Sequence, residues 1–265
     1  MNGRMRGAWH PGAWIAWATG AGLAAFVTTN PVSLGLLIAV SWFVYTGCRV
    51  PGPSARSFRL FLLAALVAVT LRTALVFLGT VNAAHVAESF GEGLRLGTLL
   101  VVFGTFNAVT DPLALVRLAP RRFHEPALAA ALALSITPRT VACVATVREA
   151  QRLRGLPVGG FSSLPSLAVP VLERGMEDAV TLAESMDARG HGRGRRTRYR
   201  PQGWTPAAAA VAVTSLAAGG VFLAASLAGV PALHPDPLTW PAVTASSLAA
   251  IVALALPGLL GGDRR

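Results

Sequence analysis

Apolar residues in this chain are grouped into long runs, each broken by short polar or proline-containing stretches. Six runs reach or approach the roughly 20 residues that cross a bilayer core. They cover residues 13–29, 32–47, 60–80, 94–110, 206–230 and 238–260. The pattern predicts an all-α membrane protein with about six transmembrane helices. Thr28-Thr29-Asn30-Pro31 separates the first two runs and has the composition of a tight turn. A seventh apolar stretch, 126–147, contains Pro138-Arg139. An arginine near a span centre costs about 2.5–3.5 kcal/mol on insertion scales. This stretch is therefore expected to lie on or partly in one face of the membrane.

A different pattern governs 111–204. Leu172, Met176, Ala179, Ala183 and Met186 recur at helical spacing, while Glu173, Arg174, Glu177, Asp178, Thr181 and Glu184 fall on other faces. This helix runs into Ala188-Arg189-Gly190. Glycine after the last turn is a helix stop, and the arginine before it suits the negative end of the helix dipole. An earlier helix, from about Arg139 through Val141, Val144 and Val147, ends in Arg154-Gly155, with Pro157 just beyond. The segment is thus expected to hold a pair of amphipathic helices with equivalent arginine tips. A guanidinium fork fits a carboxylate in bidentate fashion, most strongly where the pair is desolvated. Two such tips suit a partner with two equivalent acidic grooves. Helices that end in Arg-Gly are also common for purely structural reasons, and the duplication is what favours docking.

Charge fixes an expected orientation. All 23 basic residues are arginine, and the formal net charge is +11. With the N-terminus inside, Arg4 and Arg6, then Arg49, Arg56 and Arg59, then the 14 arginines of 111–204 and finally Arg264 and Arg265 all fall on the inner side. The loop 81–93, with Glu88 and Glu92, falls outside. The expected organisation is a four-span part at 1–110, a cytoplasmic segment at 111–204 and a two-span part at 205–265, with both termini cytoplasmic. Arg4 and Arg6 precede the first run as in a signal peptide, but further spans follow at once, so that run reads as a retained span. Arg72 and Arg95 lie within apolar runs and read as bundle-facing or snorkelling residues.

Composition excludes several chemistries. Without lysine the chain has no Gly-Lys-Ser/Thr phosphate loop, so any ATP used must be bound by another subunit. Cys48 and Cys143 lack metal-ligand spacing and read as small buried hydrophobes. His10, His85, His124, His191 and His234 have no close spacing, and neither a metal nor a cofactor site is expected. The arginines of 193–200 have a single interleaved aromatic, Tyr199, rather than a repeated pattern, which favours anionic lipid headgroups over nucleic acid. Gly190, Gly192 and Gly194 do not form a dinucleotide fingerprint, and no hydrolase motif is present.

The cytoplasmic segment resembles the T components of energy-coupling factor transporters, whose paired coupling helices each end in Ala-Arg-Gly. The first motif here reads Ala150-Gln151-Arg152-Leu153-Arg154-Gly155, and the second Glu184-Ser185-Met186-Asp187-Ala188-Arg189-Gly190-His191. Thr110-Asp111-Pro112 and Ile136-Thr137-Pro138 resemble the family's flanking words. The likeness is specific from about Phe103 to Arg200 and compositional elsewhere. Leu153 stands where alanine is usual, and His191 where an aromatic is usual.

The resemblance implies a non-catalytic coupling subunit in the plasma (inner) membrane, part of an importer for a vitamin or a transition-metal ion. Its partners would be two ATP-binding cassette ATPases and a membrane substrate-capture subunit. Arg154, Gly155, Ala188, Arg189 and Gly190 would dock the ATPases. The stripe Leu172, Met176, Ala179, Ala183 and Met186 would contact the capture subunit. The alternatives are a membrane anchor whose basic segment recruits another partner, and a membrane-embedded enzyme.

Overall fold

A computed structural model describes residues 9–48, 54–78, 82–156, 164–191, 203–233, 235 and 241–261. Their regular structure is all helical, without a strand among the described residues. The helices are α1 (Pro11–Val27), α2 (Pro31–Cys48), α3 (Ser54–Ala74), α4 (Ala83–Val109), α5 (Pro112–Val116), α6 (His124–Leu153), α7 (Leu164–Ala188), α8 (Pro206–Leu227), α9 (Ala245–Leu254) and α10 (Leu256–Gly261). Arg4, Arg6, Arg49, Pro157, the arginines of 193–200, His234, Arg264 and Arg265 lie outside the described residues. The chain divides into two compact units. One comprises Met1–Leu118 with Gln202–Arg265, and the other Ala119–Pro201.

Four helical segments are long and apolar enough to cross a membrane: Pro31–Cys48, Ser57–Phe77, Glu125–Leu153 and Pro206–Leu227. Pro11–Val27 and Ala245–Leu260 are shorter apolar helices. Against the six expected runs, the set lacks the fourth, adds Glu125–Leu153, and has shorter apolar helices in place of the first and last. Helix α4 starts at Ala83, so the expected outer loop forms its first three turns and brings Glu88 and Glu92 into the same helix as Arg95. Helix α6 passes through Pro138 without ending. An interior proline removes one hydrogen bond and clashes with the preceding turn, but neighbouring turns can hold the helix together. The expected surface helix and first coupling helix are therefore one element of 30 residues.

In the first unit, α1 lies among α2, α4, α8 and α9. Trp14, Trp17, Leu34, Leu37, Val102, Phe222 and Leu254 form its core. The closest approach is between α1 and α8, where a side chain at Gly20 would meet the Ser215 carbonyl oxygen at 2.0 Å. Small residues at a crossing let two backbones touch, which is the usual basis of helix association in lipid. Helix α4 approaches α3 in the same way, through Gly93, Gly97 and Gly104.

Polar bonds fasten both ends of this bundle. At one end Asn30 is fully buried. Its Nδ2 donates to the carbonyls of Ala232 and Ala242, both at 2.8 Å. Its Oδ1 accepts from the N–H groups of Val32 and Ser33, capping α2. Thr28 Oγ1 and the Thr29 N–H both donate to the Leu233 carbonyl. At the other end the Trp17 indole donates to the Leu254 carbonyl at 2.9 Å. His10 stacks on Trp204 with centroids 4.2 Å apart.

Three charges of this unit find partners. Arg72 pairs with Glu92, and Arg95 sits over the Phe26 ring at 4.7 Å. Cys48 and Cys143 are half-buried rather than buried, and Cys48 Sγ donates to the Pro257 carbonyl. The outer face of α3 exposes Leu60, Leu63, Leu66, Val67 and Leu71. Water penalises such a face and a bilayer accepts it.

Candidate functional site

The second unit is built from α6 and α7, joined by a short connection. Gln151, near the end of α6, is buried and donates through Nε2 to the Ser166 carbonyl of α7 at 2.8 Å. That carbonyl is available because residue 170 is proline: the N–H that would normally reach back four residues to it does not exist. Further from the connection, Arg139 and Val147 of α6 line one groove with Pro170 and Asp178 of α7. The helices are therefore antiparallel. Arg154 lies beside the start of α7, and Arg189 lies past its end. The 25 residues of α7 separate these points by about 37 Å at 1.5 Å per residue.

Both helices end in the same cap. Gly155 has φ +72° and Gly190 φ +75°. In the first cap, the Gly155 N–H bonds the Arg152 carbonyl and the Leu156 N–H bonds that of Gln151. In the second, the Gly190 N–H bonds Asp187 and the His191 N–H bonds Met186. This is the paired-bond Schellman arrangement, formed bond for bond at both tips. It also explains why His191 is acceptable where an aromatic was expected, since the cap uses only its backbone N–H. Gly229 closes α8 with the same two bonds, but there Ala228 precedes the glycine. The cap alone is therefore a folding device. What sets the two tips apart is the arginine at the capping position.

Arg154, Ala188 and Arg189 are exposed. Among the described residues Arg72–Glu92 is the only salt bridge, so neither tip guanidinium has a carboxylate within 4.0 Å. Each sits on the negative end of its helix, which favours the cation. Leu153, the bulkier residue at the first tip, is 85% exposed. Of the apolar stripe, Leu172, Met176, Ala179 and Ala183 are exposed and Met186 is half-buried. Asp111 accepts from the Leu113 N–H and caps α5, with Pro112 as its first residue. The Thr-Asp-Pro word thus has a local structural use.

Sequence reasoning quoted Gln151 only as part of the first motif and overlooked its bond and Pro170. The available signal was a proline four residues after Ser166, beside a helix whose last turn carries a glutamine. Gln151→Ala is expected to leave the Ser166 carbonyl without this bond, at a cost of about 1 kcal/mol. Amide exchange at 151–156 and 164–170 should then quicken about fivefold. Unchanged exchange in both segments would show that the bond does not hold the hairpin. No family model matches this chain, and no curated protein matches its sequence.

Proposed function

We propose that this chain is the transmembrane coupling subunit of an energy-coupling-factor-type ABC importer. The observation that carries the reading is the pair of identical caps, each with an arginine that has no carboxylate partner, at opposite ends of one helical hairpin. Arg154 and Arg189 would each enter an acidic groove on one of two ATP-binding cassette subunits. Gly155 and Gly190 end the helices immediately after the arginines. Closure of the ATPases on ATP would shift both tips, and the largely exposed stripe Leu172, Met176, Ala179, Ala183 and Met186 would pass that motion to a substrate-capture subunit. Six spans with both termini inside the plasma membrane fit the distribution of arginines. The cargo would be a vitamin or a transition-metal ion, selected by the capture subunit. The chain itself would catalyse nothing.

Co-expression with a candidate ATPase pair tests this. The wild-type chain is expected to retain both ATPases through purification. Arg154→Glu/Arg189→Glu should lose them while still inserting in the membrane. Reversing a desolvated charge costs roughly 2–5 kcal/mol per tip, a hundredfold or so in Kd. Equal retention by the inserted double variant would refute the coupling reading.

A further inference from the structure

We propose that the groove between α6 and α7 binds the phosphate of an anionic phospholipid headgroup. The groove has a volume of about 520 Å³ and takes one arginine from each helix, Arg139 and Arg174, together with Thr146 and Asp178. Its size falls in the roughly 300–1,000 Å³ range of small-ligand sites. Among the described residues neither guanidinium has a carboxylate within 4.0 Å, and Asp178 does not pair with Arg174 one turn away. Two cations that line one groove, neither paired with the single carboxylate there, attract an anion, and the planar fork matches phosphate oxygens.

The balance of charge and the surroundings select the kind of phosphate. Two guanidinium groups and one carboxylate leave the groove at +1, which matches a phosphodiester with one charge. A free phosphate near its second ionisation brings almost a second charge, which Asp178 repels. The rest of the groove's lining is largely apolar, from Ala142, Cys143 and Val147 of α6 and Pro170 of α7. Residues 126–138 of α6, leading up to Arg139, carry no charge. A ligand with an anionic head and hydrocarbon tails satisfies both features, and basic pockets at the inner face of membrane proteins take such headgroups. The site lies away from both arginine tips and does not depend on the coupling reading.

The test uses the full chain in phosphatidylcholine bilayers with spin-labelled phosphatidylglycerol as probe and spin-labelled phosphatidylcholine as reference. The wild type is expected to immobilise the anionic probe in preference to the neutral one. Arg139→Gln/Arg174→Gln should reduce that preference about tenfold. Arg148→Gln/Arg152→Gln, which removes equal charge from α6 outside the groove, should leave it unchanged. Equal preference in wild type and the 139/174 variant overturns the site, as does an equal loss in the 148/152 control. Displacement of the lipid by millimolar inorganic phosphate would assign the groove to phosphate from solution and overturn the lipid. If the 139/174 variant does not insert, Asp178→Asn decides on a folded chain. Its retention of phosphatidylglycerol should rise, and an unchanged value overturns the proposal.

Discussion

Gly20→Val is expected to separate α1 from α8 and to lower the melting temperature of the purified chain by roughly 10 °C. A first side-chain carbon at this position would lie 2.0 Å from the Ser215 carbonyl oxygen and 2.6 Å from its carbon, where ordinary contact begins at 3.4 Å. These are backbone atoms, so no rotamer change relieves the clash and one helix must move by more than an ångström. Overpacking against a yielding core costs about 1–3 kcal/mol, and the upper end applies where the neighbour cannot yield. Gly219 meets Gly20 from the other side, with a side chain there 2.9 Å from the Gly20 Cα. Ser215 is buried and its hydroxyl has no hydrogen-bond partner, so its contribution is its small size. Ser215→Ala should therefore melt with the wild type. A Gly20→Val protein that melts there too would show that the crossing is looser than the structure has it.

Asn30→Asp should be at least as damaging, although it changes a single atom. The asparagine amide donates to two carbonyls that belong to segments more than 200 residues away, and no water reaches it. A carboxylate there would set oxygen against oxygen at both contacts. A buried acceptor facing two acceptors costs about 3–5 kcal/mol when ionised, and protonation restores only one of the two bonds. Asn30→Ser separates the residue's two roles. It keeps an N-cap for α2 but cannot reach Ala232 and Ala242, and should fall between the wild type and Asn30→Asp. Chemical denaturation of the three proteins in one detergent would rank them. A wild-type-like Asn30→Asp would remove the case for this knot.

The parts of this molecule that could be read from sequence are those decided within a few residues. Pro31 and Pro206 open α2 and α8, and the runs they begin became helices with nearly the expected limits. The arginine-glycine tips were legible for the same reason, since a left-handed glycine and the residue before it make a helix end on their own. What failed depended on distant partners. Glu92 read as an outer-loop residue because its counter-charge, Arg72, lies 20 residues earlier on another helix. The last apolar run looked continuous, yet α9 stops at Leu254 and α10 begins at Leu256. Pro257 cannot donate, and the Leu254 carbonyl bonds the Trp17 indole. The groove between α6 and α7 was invisible because its two arginines are 35 positions apart and each looks solvated on its own helix.

The distance between the two arginine tips is written in residues. One residue added to α7 beyond Asp178 would push Arg189 about 1.5 Å further out and swing it about 100° around the helix axis. Two turns of helix, about seven residues, nearly restore the bearing while adding about 10 Å of reach. Helix α7 therefore works as a vernier. Any pair of partner sites it serves must match it in both spacing and azimuth, and the two cannot be tuned independently by lengthening or shortening the chain.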